Sequence, residues 1–329
     1  MRTRGDIYPY ANTVICIEDS KLLKQFQYDI LHSTANLQAA LDELSKIDYF
    51  QTHEDADNEN YGALLDKLTR DTLKKMRSIV PTELIWRIFA LYYDIHNMKL
   101  VVKERFSGQK LDRLAMPQGS LSLPTIRSAT VRESDNILGS ETLSEGLFEA
   151  LRAGGMYDID FILDRTYFRA LRGLAEEMGS ERITEFVIER IDLFNISAYC
   201  QSQAAGVPEW YFSKAFSGQG SRTLSQWQEY IEAGPGGMER SPLWLRYKPI
   251  WEAAASKKKV FEELDVLNDN YLIEKTKICK LMAFGIEPIC AYYFNKFMEI
   301  KNIRILLVGK KNNYSTHEIR RRMRIPYEL

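Results

Sequence analysis

One short pattern written three times constrains this chain more than any other feature. An acidic residue stands three positions before an asparagine at Asp94-x-x-Asn97, Asp192-x-x-Asn195 and Glu299-x-x-Asn302, and the asparagines lie 98 and 107 residues apart. Eleven residues after each asparagine comes Gly108, Gly206 or Asn313. Glycine and asparagine are the residues that most readily take the left-handed conformation closing a helix. Upstream, Leu65-Asp66, Leu163-Asp164 and Leu267-Asn268 precede their asparagines by 32, 32 and 35 residues, and Tyr167 and Tyr271 follow the second and third leucines by four. Matched spacing on both sides implies one helical design repeated, with a period far longer than the 20–50 residues of solenoids.

The class is all-α. Apolar residues recur at three and four, as in Ile85, Ile88, Phe89, Tyr92, Ile95, Met98 and Val102, and strand-like alternation is almost absent. The same spacing predicts helices over Leu22–Leu44, Tyr61–Val80, Thr142–Leu151, Tyr157–Met178, Glu181–Gln203, Leu224–Ile231, Leu243–Ala255 and Lys257–Val308. Thr142-x-x-Glu145 and Ser315-x-x-Glu318 read as capping boxes. Pro117–Gly139 and Gly234–Pro242, rich in turn residues, read as linkers, and the acidic stretch Glu54–Asn60 reads as a solvated turn. The copies then span 1–116, 117–222 and 223–329. Each ends in a short segment after its closing turn: Leu111–Ala115, Pro208–Phe216 and Ser315–Arg324. Three such ends are expected to converge on a pseudo-threefold axis.

Composition limits the partners. The 44 Lys and Arg against 45 Asp and Glu leave a net charge of −1, without the positive field of a general nucleic-acid binder. Cys16, Cys200, Cys279 and Cys290 are far apart, and the first fifteen residues do not read as a signal peptide, which points to a reducing, cytoplasmic setting. The apolar stretches Leu281–Phe294 and Ile303–Val308 are too short or interrupted to cross a bilayer, which needs ~20 residues.

Catalytic, metal and cofactor motifs are missing. The histidines at 32, 53, 96 and 317 form neither H-E-x-x-H nor E-x-x-H, and Gly218-Gln-Gly220-Ser-Arg-Thr223 lacks the third glycine of a dinucleotide fingerprint. The repeated acid and asparagine share a helical face. Three equivalent copies point to structural polar bonds, since buried carboxylates and amides must find partners, although one pair could in principle handle protons. Residues 301–329 carry eight basic side chains against Glu318 and Glu328. Arg320, Arg321, Arg322 and Arg324 are therefore either a solvated helix end or a docking patch for an acidic protein or anionic headgroups. Trp210, Tyr211 and Phe212, just past Gly206, are candidate interface anchors, with burial in the core as the other reading.

Taken in order, several segments resemble the C subunit of the bacterial and archaeal A/V-type rotary ATPases, a family related to the d subunit of the eukaryotic vacuolar enzyme. They are Tyr10-Ala-Asn12, Tyr93-Asp-Ile-His-Asn-Met-Lys99, Leu163-Asp-Arg-Thr-Tyr-Phe168, Asp192-Leu-Phe-Asn195, Glu287-Pro288 and Lys301-Asn-Ile-Arg304. The resemblance covers nearly the whole chain. It implies three similar helical bundles forming a funnel or socket, no catalytic residue and no cofactor. It also implies one copy per complex, placed peripherally at the membrane between the D and F subunits of the central stalk and the proteolipid ring. This sequence departs from the pattern at Ser197, where the other copies have Lys99 and Arg304, and in lacking arginines just after Asn12. A general helical scaffold without rotary function is the other reading of the same periodicity.

Overall fold

The structure, a computed structural model, describes residues 7–47, 61–131, 138–207, 209–233, 236–256 and 260–328. Among the described residues it consists of α-helices and short 3-10 turns, with no strand. The helices in order are α1 (Pro9–Asp19), α2 (Gln25–Ser33), α3 (Leu37–Ser45), α4 (Tyr61–Ile79), α5 (Glu83–Ser107), α6 (Leu123–Ala129), α7 (Glu141–Leu151) and α8 (Met156–Met178). They continue as α9 (Glu181–Ala205), α10 (Glu209–Ala215), α11 (Leu224–Glu232), α12 (Pro242–Arg246), α13 (Lys248–Ser256), α14 (Val260–Thr276), α15 (Glu287–Lys311) and α16 (Thr316–Arg322). The three helices that carry the repeated pattern, α5, α9 and α15, are each 25 residues long.

Where the periodicity runs on, local chemistry breaks the helix. Leu22–Leu44 becomes α2 and α3 because the Asn36 side chain accepts the Ala39 amide at 2.9 Å and starts a new helix. Within Lys257–Val308, a 3-10 turn over Lys277–Leu281 and Gly285 at φ 98° separate α14 from α15. Leu243–Ala255 divides into α12 and α13 at Tyr247. The expected box at Thr142 is displaced, because Ser140 caps α7 and accepts the Leu143 amide. Ser315 and Glu318 do form a reciprocal box, at 3.2 and 2.9 Å. Two helices lie where none was expected: α1 at the start and α6 inside the linker Pro117–Gly139. The acidic stretch Glu54–Asn60 lies outside the described residues.

The chain forms two compact units, Met1–Pro81 with Phe261–Leu329, and Thr82–Val260. In the first, α15 packs against α1, α3, α4 and α16 around Leu31, Leu41, Leu65, Ile303, Leu306 and Ile319. In the second, α8 packs against α5, α7 and α9 around Ile85, Met98, Leu147, Ile159, Leu163 and Ile191. Thus α4 packs on α15, and α8 packs on the 25-residue helix of the preceding stretch. Arg304 pairs with Asp66 at 3.0 Å on α15 and α4, and Lys99 pairs with Asp164 at 2.7 Å on α5 and α8. The exposed Arg304–Asp66 pair contributes ~1 kcal/mol or less, so it fixes register more than stability, whereas the Lys99–Asp164 pair is partly buried. The remaining members of these two series, Ser197 and Asn268, are both uncharged.

His32, at the end of α2, gives the first unit an acid-sensitive point. The ring is buried, and its Nδ1 has no hydrogen-bond partner. The Lys310 ammonium caps the end of the same helix by donating to the His32 and Thr34 carbonyls. Arg320 of α16 stands close enough to repel an imidazolium, while its partner Asp29 works the other way. Burial first, then Arg320 and Lys310, holds the His32 pKa below its ordinary value. The folded chain therefore binds fewer protons here than the unfolded chain, and stability falls as pH drops below about 6.5 toward the lowered folded value. Thermal melts between pH 7.5 and 5 should show that loss, and His32→Leu should flatten it. An unchanged slope in the variant would place the acid sensitivity elsewhere.

Candidate functional site

The repeated asparagines are backbone clamps. Asn97 Nδ2 donates to the Met116 carbonyl at 2.7 Å, and the Met116 amide donates to Asn97 Oδ1 at 2.9 Å. Asn195 holds Ser217 in the same two-way fashion, at 2.9 Å in each direction. Asn302 holds Arg324 at 3.0 and 2.8 Å. A primary amide, with one acceptor and two donors, matches the N–H and C=O of a single residue. Each clamp closes over a short segment: a 3-10 turn at Asp112–Leu114, then the seven-residue helices α10 and α16. The three-residue turn of the first segment accompanies a loop of 19 residues between partners, against 22 in the other two. The turns that lead there put Gly108 at φ 69°, Gly206 at φ 60° and Asn313 at φ 55°.

The acids hold the next stretch of chain. Asp94 accepts the Leu121 amide at 2.8 Å and the Ser120 hydroxyl at 2.6 Å, and Asp192 accepts the Ser221 amide at 2.8 Å and the Tyr247 hydroxyl at 3.0 Å. Burial raises both pKa values against those hydrogen bonds. A Cβ on Gly119 would sit 2.4 Å from Asp94 Oδ1, and one on Gly220 would sit 2.5 Å from Asp192 Oδ1. The loop can approach only because those positions carry no side chain. The tripeptide Gln-Gly-Ser at 118–120 and again at 219–221 is the sequence signal for this contact. It is a second repeat, and motif reading misses it because glycines beside small polar residues suggest a nucleotide loop before they suggest a close approach of backbone to carboxylate.

The third acid is served from a segment far away in the sequence. Glu299 accepts the amide of Leu23, just before α2, and pairs with Lys296 at 2.6 Å. Further bonds knit the two ends: the Gln25 amide donates to Glu328 at 2.6 Å, and Lys280 bridges Asp19 and the Tyr327 carbonyl at 2.9 Å each. In each case the bonded amide lies just ahead of a short helix: Leu23 before α2, Leu121 before α6 and Ser221 before α11.

These polar groups are consumed in holding backbone. Among the described residues no cluster of His, Cys, Asp and Glu is arranged to hold a metal, and no helix is long and apolar enough to cross a membrane. The candidate interface residues separate by environment. Phe212 is buried against Trp227 and Phe216, at ring distances of 5.3 and 5.8 Å. Tyr211 is half-buried edge-on to Phe161, and Trp210 is exposed beneath the Lys214 ammonium. Arg324 is buried, pairing with Asp269 at 2.8 Å while its backbone fills the Asn302 clamp. Arg320 pairs with Asp29 at 3.0 Å, Arg321 lies 3.7 Å from Glu263, and Arg322 stacks over Tyr314. Trp210, Arg320 and Arg321 thus lie at the surface, whereas Phe212 and Arg324 are held in the interior.

The whole arrangement has relatives. The chain is 24% identical to the C subunit of the V-type sodium ATPase of Enterococcus hirae, over 98% of this chain and 99% of that one. It is also 24% identical to the C subunit of the A-type ATP synthase of Methanocaldococcus jannaschii, over 95% of this chain and 85% of that one. Residues 11–322 match the ATP synthase (C/AC39) subunit family. A match across nearly every helix, with the acids and amides spent on backbone, leads to one assignment: the chain belongs to the ATP synthase (C/AC39) subunit family, non-catalytic subunits of V/A-type ATPase complexes.

Proposed function

We propose that this chain joins the central stalk, made of the D and F subunits, to the membrane proteolipid ring and passes torque between them during ATP-coupled H+ or Na+ transport. One copy serves each complex, docked peripherally and built of three copies at 1–116, 117–222 and 223–329. The observation that carries this reading is the set of three equivalent clamps. A torque-bearing body must not yield, and each clamp ties the middle of a 25-residue helix to the segment beyond it through two hydrogen bonds to that segment's backbone. A close-packed interior with little free volume then transmits strain instead of absorbing it. Exposed groups on the short segments, Trp210, Arg320 and Arg321, are the proposed stalk-facing contacts.

An affinity-tagged chain, recovered from native membranes in mild detergent, should bring down stalk and ring subunits together. Vesicles lacking the chain should hydrolyse ATP without ion uptake. Full ATP-driven uptake without it, or recovery without either partner, would reject the reading. Substitutions at Trp210, Arg320 and Arg321 test contacts better than a deletion of 320–329, which would also remove Arg324 from its clamp.

A further inference from the structure

Helix α4, in the first unit, carries a stripe of positive charge that nothing around it neutralises. Lys67, Arg70 and Lys74 stand three and four residues apart and so share one face. Lys67 and Lys74 are exposed and Arg70 is half-buried. Among the described residues none of the three makes an ion pair or a hydrogen bond. Nearby charges are engaged elsewhere, Lys75 with Glu18 at 2.6 Å and Asp66 with Arg304 at 3.0 Å. Asp71, beside the stripe, makes no ion pair either, so three cations stand against one carboxylate. Like charges at this spacing repel along a helix. Helix α8 shows what such a stripe takes. Lys67 and Arg165 both lie two residues beyond the repeated leucines, Leu65 and Leu163, and Lys74 and Arg172 both lie nine beyond them. On α8 the cations are met: Arg165 by Glu149 at 3.1 Å, Arg169 by Glu145 at 3.0 Å and Arg172 by Glu176 at 2.8 Å. Glu145 and Glu149 stand four apart on α7, which packs against α8. Helix α4 packs on α15 and α1 with its opposite face, through Leu65, Leu68, Thr72 and Met76, and no described carboxylate takes the place that α7 fills on α8.

We propose that the α4 stripe docks an acidic helix of a neighbouring protein subunit, which sets carboxylates three to four residues apart against Lys67, Arg70 and Lys74 as α7 does against α8. The spacing selects a helix. Lys67 to Lys74 covers ~10 Å along α4, and acids at three- and four-residue intervals on a second helix repeat that rise on one face. Anionic lipid headgroups would meet the same charge, but a basic helix lying on a membrane carries Trp, Phe or Leu to bury beside its cations. The exposed residues of α4 include no large apolar side chain. The contact is therefore held by charge alone. It steers and orients the partner, and it weakens as salt rises. This inference rests on the chain's place in the complex proposed above.

Two measurements test it in the full-length chain, free and within the complex purified from native membranes. A carbodiimide joins an amine directly to a carboxylate in contact with it. In the complex it should link Lys67 or Lys74 to Asp or Glu residues three to four apart on a helix of another subunit. Lys67→Glu combined with Arg70→Glu and Lys74→Glu should weaken assembly roughly tenfold or more at low salt without lowering the melt of the free chain, and the unsubstituted chain should lose the same advantage as salt is raised. Links confined to this chain's own carboxylates, the acidic stretch Glu54–Asn60 included, or unchanged assembly of the triple variant at low salt, overturn the docking stripe and leave the rotary reading standing. Sedimentation of the free chain with phosphatidylserine vesicles, lost in the triple variant, would assign the cations to headgroups and overturn it equally. A chain absent from complexes of stalk and ring overturns both.

Discussion

Asn195→Ala lowers the melting midpoint of the Thr82–Val260 unit by roughly 10 °C. Asn195 is fully buried, and its clamp partner Ser217 is 1% exposed. Truncation strands the Ser217 N–H and C=O where no water reaches, at ~1–3 kcal/mol for each orphaned group. The total of about 3–5 kcal/mol converts at ~2–4 °C per kcal/mol for a unit of this size. Asn97→Ala should cost less, because Met116 is only half-buried and water can replace the amide. Differential scanning calorimetry of the two variants should give that order. Equal shifts would mean that burial of the clamped residue is not what sets the cost. An unshifted melt with lost assembly would make Asn195 a contact residue rather than a structural one.

The repeat is legible in the sequence because its parts are local. An acid and an amide three apart on a helix, followed by a left-handed closing residue at a fixed distance, leave a pattern that survives at 98 and 107 residues' separation. Helix existence is legible for the same reason, whereas the breaks at Asn36 and Gly285 are not. Apolar periodicity continues through a break, and one capping side chain or one positive φ decides it. Two things cannot be read from the sequence. The pairing of Lys99 with Asp164, and of Arg304 with Asp66, depends on which helices lie side by side, and that is fixed by packing over long loops. The exposure of Trp210 beside a buried Phe212 depends on the rotation of a seven-residue helix, too short to reveal its own face by periodicity.

The largest single effect is expected at Glu299. Glu299→Ala leaves the Lys296 ammonium without the carboxylate it holds at 2.6 Å, both side chains being almost fully buried. Removing one partner of a buried pair costs about 3–5 kcal/mol, and the Leu23 amide loses its acceptor as well. Because that amide is where α2 joins the end of the sequence to its beginning, the damage should be localised. Hydrogen exchange at Leu23–Ser33 should quicken far more than exchange in α8 or α9. Glu299→Gln keeps an acceptor for Leu23 but no charge for Lys296, so it separates the two losses: restored protection with a lowered melt assigns the seam to the hydrogen bond and the stability to the ion pair. Lys296→Met combined with Glu299→Gln should then recover much of the melt, since an uncharged pair escapes the desolvation cost that two buried charges bear. Were the double variant no better than Glu299→Ala, the ammonium would be satisfied by other groups, and the closure of the chain's ends would rest on the Gln25–Glu328 and Lys280–Tyr327 bonds instead.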